Sequence, residues 1–314
     1  RDRVTGVNGE TFAATGSATM NSKNVQAGQP LTSLAGVTLT GVNGSSLSNY
    51  QALTLNQTSV TVTPLAVTLT TPNATKVYDG NTLLSPTSAQ LSNLSAQLVG
   101  GDSVSTAQMV YADKNAGTGK SVTLSSIGVS DGNHGGNYII TVADSANGVI
   151  TKAPLTVTAV SDAKFVSQSD TAGYGGVVYN GFVAGENASV LSIGTITRTN
   201  AGTNSAGNYT GVLQPSGWTA SNYNITYAAG DYTVVPANVL LVRAGSTSTT
   251  YGTAATYNLT AQYLNSNGSI ISAQTPTVNN NSVSINDGNG GTANFTLNAV
   301  NGSLSTAQQL QVGG

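Results

Sequence analysis

The chain of 314 residues contains no cysteine. Small secreted β-modules are usually cross-linked by disulfides, so any modules in this chain must be stabilised without them, by packing and hydrogen bonds. Two interpretations of this absence stay open. Modules of about 80 residues can fold without disulfides. Alternatively, the chain crosses a membrane pore unfolded, and a disulfide formed too early would block its passage.

Charge is also scarce, since Asp, Glu, Lys and Arg make up 7% of the chain and the net charge is −2. Ordinary soluble domains contain about 25% charged residues. The ten Lys and Arg are scattered, which excludes the basic surface that nucleic-acid binding requires. No apolar run approaches the ~20 residues of a membrane-spanning helix. Because the chain begins at Arg1 without Met or a signal segment, we expect it to be a fragment of a longer protein.

The polar surface must therefore come from Ser, Thr, Asn, Gln and Gly, which are poor helix formers. Alternation of apolar and polar residues, as in Val60-Thr61-Val62, predicts half-buried strands. The leucines within residues 87–98 have helical spacing and predict one short helix there. The predicted fold class is all-β, with room for one short helix per module.

One spaced sequence motif recurs three times along the chain. A Lys-Asn or Thr-Asn pair is followed by an Asn-Tyr pair and then by a strand with a lone proline, about 40 residues after the first Asn. The copies are Asn24, Asn49-Tyr50 and Pro64; Asn115, Asn137-Tyr138 and Pro154; and Asn200, Asn222-Tyr223 and Pro236. Such self-similarity indicates tandem modules, which are more typical of stalks and adhesive arrays than of enzymes.

The repeated prolines divide the chain into four predicted modules. These are residues 1–64, a partial module whose N-terminal part is missing, then residues 65–154 and 155–236, and finally the divergent residues 237–314. Strand, proline and next strand follow each other almost without a linker, and a single proline stiffens such a junction. We therefore predict small β-sandwich-like modules arranged in tandem as an elongated rod.

Three motifs carry a family resemblance: Lys76-Val77-Tyr78-Asp79-Gly80-Asn81-Thr82, residues 111–120, and Gly136-Asn137-Tyr138. They resemble the YDG and MBG repeat modules of large bacterial surface proteins, which occur in filamentous-haemagglutinin-like adhesins exported by two-partner secretion. Residues 65–154 look like a YDG-type module. Residues 155–236 look like an MBG or YDG type in which Phe165-Val166-Ser167 replaces Tyr-Asp-Gly, and residues 237–314 look like a divergent MBG or Ig-like module.

The resemblance implies a secreted protein on the surface of a Gram-negative bacterium, at the outer membrane or in the biofilm matrix. It implies an outer-membrane transporter as a partner and cell–cell or cell–surface adhesion as the role of the parent protein. We expect this region to be a stalk. The alternative is a module that binds exopolysaccharide or host glycan directly, and an enzyme is the third and least favoured class.

Aromatic residues are the candidates for packing and for ligand binding. Tyr50, Tyr138 and Tyr223 occupy equivalent repeat positions, which predicts that they serve the fold of each module. A platform for glycan would consist of Trp218, Tyr223 and Tyr227, because such rings offer an apolar face and a polar tip. Trp218 is the only tryptophan, and the alternative is that it anchors the core of its module.

Catalytic and metal sites find little support in the sequence. The only histidine, His134, lies near Ser130 and Asp131 in a Gly-rich turn, which lacks the mutual orientation that a catalytic triad needs. No cofactor is expected. Calcium is the most plausible metal, with Asp131 and Asp287 as weak candidates, but an Asp-Gly-Asn turn is usually only a turn.

Strand edges suggest one further partner. Lys and Pro normally protect such edges from pairing with other chains, and this chain has eight prolines and ten Lys and Arg together. We therefore hypothesise lateral self-association between neighbouring copies of the chain.

Overall fold

The computed structural model describes residues 3–55, 58–244, 259–272, 277–279, 282–286, 292–296 and 310–312. The chain divides into two compact units. The first consists of Arg1–Lys76 and Asn81–Ile150, and the second consists of Val77–Gly80 and Thr151–Gly314. No helix within the described ranges is long and apolar enough to cross a membrane.

The beginning of the first unit is built from short antiparallel strands. One sheet has the order β1-β2-β6, and two strand pairs, β3-β5 and β4-β7, accompany it. The strands are β1 (Arg3–Thr5), β2 (Thr11–Gly16), β3 (Thr19–Met20), β4 (Gln26–Gln29), β5 (Leu31–Ser33), β6 (Val37–Val42) and β7 (Val60–Val62), with 3-10 turns at Val7–Gly9 and Leu47–Asn49.

The rest of the first unit follows Pro64 and combines one helix with two sheets. Its elements are β8 (Leu65–Thr70), β9 (Thr75–Val77), β10 (Leu83–Leu84), α1 (Ser88–Ser95), β11 (Ser103–Tyr111), β12 (Gly117–Ser130), β13 (Tyr138–Ala143) and β14 (Ser145–Thr151). One sheet has the order β10-β11-β12-β14-β9, and β13 pairs with β8 in parallel. Leu69, Leu94, Met109 and Val122 are fully buried in this part.

The second unit repeats this arrangement after Thr151. Its elements are β15 (Ala153–Ala159), β16 (Asp162–Phe165), β17 (Val177–Asn180), a 3-10 turn (Ala188–Val190), β18 (Thr195–Arg198), β19 (Gly207–Ser216), β20 (Tyr223–Ala228) and β21 (Gly230–Val235). The sheets have the orders β17-β15-β20 and β16-β21-β19-β18. Ala159 from the first sheet packs with Leu213, Tyr232 and Val234 from the second, so the two sheets share one core.

The described strands after Pro236 are β22 (Leu240–Ala244), β23 (Leu259–Leu264), β24 (Ile270–Ser272), β25 (Thr277–Asn279), β26 (Ser282–Asn286), β27 (Thr292–Thr296) and β28 (Leu310–Val312). Leu241 and Leu264 pack with Ala163, Phe165 and Val235. All described parts of the chain thus show an all-β fold of tandem modules, as predicted. The division into four modules and the rod-like arrangement stay predictions.

The helix prediction is confirmed for one module only. Helix α1 lies within residues 87–98 and begins with a capping box, in which the Thr87 hydroxyl accepts from the Gln90 N–H and the Gln90 side chain accepts from the Thr87 N–H. Elsewhere among the described residues of the other modules, helical structure is limited to single 3-10 turns. The room that the predicted fold class left for a short helix in the other modules is thus not used by an α-helix among their described residues.

The repeated prolines also differ in their placement. Pro64 and Pro236 lie between strands, as predicted, but Pro154 is the second residue of β15 and not the end of a strand. Pro154 lies opposite Asn224 in a parallel pair, whereas the N–H of its neighbour Ala153 donates to the Asn222 carbonyl. Alternate N–H groups of a strand face opposite edges, and pairing on the other edge begins at Thr156, so the missing donor of Pro154 costs no ladder bond.

Candidate functional site

The repeated tyrosines all form the same three-residue arrangement, which we call the clasp. In each clasp a tyrosine hydroxyl accepts the N–H of a valine and donates to the carboxylate three residues after that valine. The tyrosine–valine–carboxylate sets are Tyr50, Val7 and Glu10; Tyr138, Val99 and Asp102; and Tyr223, Val183 and Glu186. The valine N to tyrosine oxygen distances are 2.8, 3.1 and 3.0 Å in that order, and the first two hydroxyl–carboxylate distances are 2.5 and 2.6 Å.

A tight turn presents the carboxylate in every clasp. The N–H of the acidic residue donates to the carbonyl of the valine, at 3.3 Å for Glu10 and at 3.0 Å for both Asp102 and Glu186. The residue before the acid is always glycine with a positive φ: 81° at Gly9, 97° at Gly101 and 85° at Gly185. Glycine adopts this left-handed conformation without the steric cost that a Cβ imposes. The glycine before the acid therefore favours this turn, and the three copies share the sequence Val-x-Gly-Asp/Glu.

Each clasp keeps its tyrosine neutral. The hydrogen bond to Glu10 raises the pKa of Tyr50. Burial raises the pKa of Tyr138 and of Tyr223, and the hydrogen bonds to Asp102 and Glu186 raise them further. A neutral phenol donating to a carboxylate is a charge-assisted hydrogen bond, about twice as strong as one between neutral groups. The clasps are therefore suited to holding structure together.

Glu186 has a second tyrosine partner. The Tyr78 hydroxyl donates to Glu186 Oε1 at 2.5 Å, and the Tyr78 ring meets the Tyr223 ring edge-on at a centroid distance of 5.7 Å. The Tyr78 N–H donates to the Thr151 carbonyl at 2.8 Å. The hydrogen bond to Glu186, together with burial, raises the pKa of Tyr78 to about 12. The Tyr-Asp-Gly turn thus packs onto a clasp of the second unit, to which Val77–Gly80 belongs.

The Asn residue of the Asn-Tyr pair joins repeats in the first unit. The Asn137 side-chain oxygen accepts from the Val25 N–H at 2.9 Å, and its Nδ2 donates to Asn24 Oδ1 at 3.1 Å. Asn24 Nδ2 donates in turn to the Gly132 carbonyl at 3.2 Å. In the second unit, Asn222 hydrogen-bonds to Tyr78. Residues of one repeat therefore pack against the Asn-Tyr pair of the next in both cases.

The three aromatic residues predicted as a glycan platform do not form a common face. Trp218 is only 6% exposed, and its Nε1 donates to the Tyr179 hydroxyl at 3.2 Å. Tyr223 is 2% exposed and stacks edge-on against Phe182 as well as Tyr78. Tyr227 is 42% exposed, and its hydroxyl donates to the Trp218 carbonyl at 3.0 Å. Tyr227 is therefore the member of the set that offers ring surface to a ligand.

The carboxylate of Asp131 is fully engaged by its own loop. Oδ1 accepts the N–H groups of Asn133 at 2.7 Å and Gly135 at 2.9 Å, and Oδ2 accepts that of Asn137 at 3.0 Å. Although burial acts to raise the pKa of Asp131, these backbone hydrogen bonds outweigh it and hold the pKa below its usual value. These hydrogen bonds order the loop around the carboxylate.

Other proposed chemistry gains no geometric support within the described ranges. His134 is exposed in a left-handed turn conformation, with a φ of 52°, while the Asp131 carboxylate accepts from the backbone instead. No group of three or more His, Cys, Asp and Glu that could hold a metal ion occurs among the described residues. The second calcium candidate, Asp287, lies outside them.

A buried charge cluster lies inside the second unit. Asp170 pairs with Lys164 at 2.7 Å and with Arg198 at 3.0 Å, and the Tyr174 hydroxyl donates to it at 3.3 Å. Burial acts to raise the pKa of Asp170, but Lys164 and Arg198 outweigh it, so the pKa lies below the usual value. Arg198 also stacks over the Tyr232 ring at 4.3 Å. The cluster therefore ties these segments of the second unit together through paired charges and a cation–π contact.

The carboxylates of the clasps were not anticipated from the sequence, where the acidic residues look scattered. The signal that could have found them is the tetrapeptide Val-x-Gly-Asp/Glu, which occurs about 40 residues before each Asn-Tyr pair. Its copies are Val7-Asn8-Gly9-Glu10, Val99-Gly100-Gly101-Asp102 and Val183-Ala184-Gly185-Glu186.

Comparison with protein families gives two matches. Residues 63–146 match the YDG domain, and residues 155–233 match the MBG domain of the YGX type. No curated protein and no solved structure matches the chain. The chain thus contains YDG and MBG modules, which are YGX-type repeat modules and suggest an extracellular repeat region.

Proposed function

We propose that this region is a force-transmitting stalk of a large bacterial surface adhesin of the filamentous-haemagglutinin-like type. In this proposal the modules space a distal binding region away from the cell and support cell–cell or cell–surface adhesion, also within a biofilm. The region itself catalyses no reaction.

The observation that carries the proposal is the threefold clasp. A functional site for a ligand is normally built once, whereas a feature that recurs in three successive modules serves the module fold and its neighbour contacts. Each clasp ties a turn to a tyrosine about 40 residues later, and this tyrosine is the first residue of a strand in the second and third copies. Pulling the tyrosine away must break a charge-assisted hydrogen bond and a hydrogen bond to a backbone N–H together.

The contacts between successive repeats support the same function. Asn24 and Val25 are held by Asn137, and Tyr78 is held by Glu186 and Asn222. These are side-chain contacts at polar, partly buried positions, which resist small displacements because a lost partner leaves a desolvated group unsatisfied. Such junctions suit a chain that transmits force.

Localisation and export are part of the proposal. We propose a secreted protein at the Gram-negative cell surface or in the biofilm matrix, delivered through an outer-membrane transporter by two-partner secretion. The absence of cysteine supports this route, because a chain without disulfides can be threaded unfolded and can fold afterwards.

Direct glycan binding is the second candidate, and the exposure of Tyr227 is the observation that favours it. We would test the purified chain against a panel of bacterial exopolysaccharides and host glycans, alongside Tyr227→Ala and Trp218→Ala. The stalk proposal expects no saturable binding to any of them. Saturable binding that is lost in a folded Tyr227→Ala protein would overturn it. Because Trp218 is buried, the Trp218→Ala protein can fail to fold, and in that case Tyr227→Ala alone decides the result.

A further inference from the structure

A buried lysine of the second unit contacts a carboxylate and a carboxamide at once. Lys164 lies in β16 and is only 4% exposed. Its Nζ lies 2.7 Å from Asp170 Oδ1 and donates to Asn204 Oδ1 at 2.6 Å. Asn204 stands 40 residues further along the chain, between β18 and β19. The lysine nitrogen is thus held between a group that accepts protons and a carbonyl carbon that an amine can attack.

The charges of this cluster single out the lysine as the proton donor. Asp170 contacts two cations, Lys164 and Arg198, whose side chains are 5% and 0% exposed. One carboxylate balances only one of them, and a buried charge without a counter-charge is costly. Arginine keeps its proton in proteins, whereas a buried lysine gives up its own more readily. Asp170 is in contact with the lysine nitrogen and can accept that proton.

The distance between the lysine nitrogen and the carboxamide carbon suits a reaction between them. A C=O bond is about 1.23 Å long, so the 2.6 Å contact places Lys164 Nζ within about 3.8 Å of Asn204 Cγ. Atoms that are arranged to react lie about 3–3.5 Å apart, and a fold that holds them there replaces the collision of two separate molecules. Asn204 is exposed, which gives a leaving group a path to solvent.

We propose that Lys164 and Asn204 become joined by an isopeptide bond, with Asp170 as the proton acceptor. The lysine ammonium passes one proton to Asp170, and the neutral amine attacks Asn204 Cγ to form the Nζ–Cγ bond. A second proton moves from Nζ to Nδ2, and the Cγ–Nδ2 bond breaks. Ammonia leaves and takes the proton of Asp170 with it as ammonium. No oxidant or other reactant is consumed, and the reaction happens once in each chain, without turnover.

The cross-link changes both the charge and the connectivity of the second unit. The lysine becomes a neutral amide, so the remaining pair of Asp170 and Arg198 is balanced. The bond joins β16 to the segment before β19, across β21, which lies between these strands in the sheet. It requires the folded arrangement and no cysteine. The cross-link does not depend on the clasps or on a stalk function of the chain.

Mass spectrometry of the purified whole chain tests the proposal. We expect the intact mass to be lower than the sequence mass by one molecule of ammonia. A protease digest should contain a branched peptide in which Lys164 is joined to Asn204. A succinimide at Asn204 releases the same ammonia but joins no second peptide. The proposal is overturned if the folded chain keeps its full sequence mass on prolonged incubation, or if Lys164 and Asn204 occur only in separate peptides.

Two variants and one control locate the bond. Asn204→Ala and Lys164→Met should each abolish the loss of ammonia and the branched peptide. Because Asn204 is exposed, Asn204→Ala decides the result if the Lys164→Met protein fails to fold. Lys152→Met is the matched control, since this exposed lysine of the same unit donates to a backbone carbonyl at 3.0 Å. It should form the bond like the unmodified chain. Loss of ammonia that persists in Asn204→Ala would count against the assignment.

A further variant tests the proton acceptor. Asp170→Asn keeps the shape of the side chain but accepts protons poorly, so the branched peptide should form at least about a hundredfold more slowly. Trp218 fluorescence shows that the second unit of the variant is folded. Tyr174→Phe removes another hydrogen bond to Asp170, of 3.3 Å, and keeps the carboxylate, so it should slow the reaction far less. An equal rate in Asp170→Asn and the unmodified chain would overturn the role of Asp170.

Discussion

At Glu186, two phenol hydroxyls converge on one carboxylate. Tyr78 reaches Oε1 and Tyr223 reaches Oε2, so each carboxylate oxygen has its own donor. Both tyrosines must be protonated to donate. Because the folded protein binds these protons more tightly than the unfolded chain does, its stability is linked to pH in the alkaline range.

Tyr78 allows this linkage to be measured. Its pKa is raised from 10.0 to about 12 in the folded protein, so its contribution to stability is complete below pH 10 and is lost as the pH rises from 10 through 12. We predict that the urea midpoint of the second unit falls over this range, and that it falls less steeply in Tyr78→Phe. Trp218, the only tryptophan, lies in this unit and reports its unfolding by fluorescence.

The control for this measurement is Thr226→Val, which removes a hydrogen bond of the second unit between two groups that do not titrate, the Thr156 and Thr226 hydroxyls at 3.1 Å. It should leave unchanged the steepness with which the urea midpoint falls as the pH rises. The role assigned to Tyr78 would be contradicted if the urea midpoint fell equally steeply with rising pH in Tyr78→Phe and in the unmodified chain.

Repetition in the sequence marks one half of each clasp, the tyrosine. Tyr50, Tyr138 and Tyr223 stand at equivalent positions of the repeat, and each of them forms the same contacts. Their acidic partners are far away in the sequence and vary between Asp and Glu, so no local pattern of charge marks them. Burial of Trp218 depends on contacts with Tyr179 and Tyr227, which only the pairing of strands establishes.

At the scale of the element, the turn Val-x-Gly-Asp/Glu decides whether a clasp can form. The turn in the second copy contains two adjacent glycines that differ in one respect. Gly101 has a φ of 97°, whereas Gly100 does not have a positive φ, and a Cβ built on either would meet nothing within 4 Å. This pair separates the effect of backbone conformation from that of steric contact.

We predict that Gly101→Ala destabilises the first unit by about 1–2 kcal/mol, because an L-residue resists the left-handed conformation. Gly100→Ala should be neutral or stabilising by up to about 1 kcal/mol, because it reduces the freedom of the unfolded chain. Chemical unfolding of both variants, followed by hydrogen exchange in residues 81–150, measures the difference. Equal effects of the two substitutions would contradict the prediction, because they would show that the left-handed backbone conformation at Gly101 costs an alanine nothing extra.

Elements were predictable where the signal was local. The alternation at Val60-Thr61-Val62 gives β7, and the leucine spacing near residue 91 gives α1. The parallel pairs β8 with β13 and β15 with β20 were not foreseen, because parallel pairing joins segments about 70 residues apart through a crossover. Periodicity within a strand contains no information about its partner. The placement of Pro154 inside β15 follows from the same pairing.

At the scale of the whole molecule, the chain separates into two compact units, of which the first contains two clasps and the second contains one. Tandem modules have stabilities that are roughly sums of their own terms and those of their nearest neighbours. A stalk benefits from this arrangement, because the loss of one part under load leaves the other folded. Electrostatic self-repulsion of the chain does not oppose this modular arrangement, since the net charge is only −2.

We predict that clasp substitutions act on one unit at a time. Tyr138→Phe removes the donor to Asp102 and the acceptor of the Val99 N–H, and it should destabilise the first unit by about 1–3 kcal/mol. In this variant the amides of residues 81–150 should exchange faster with solvent, while the midpoint of unfolding that Trp218 fluorescence reports for the second unit should stay unchanged. Tyr223→Phe should do the reverse, lowering that midpoint and leaving exchange in residues 81–150 unaltered. If either variant lowered the stability of both units equally, the chain would unfold as one cooperative body, and a stalk that yields part by part would be excluded.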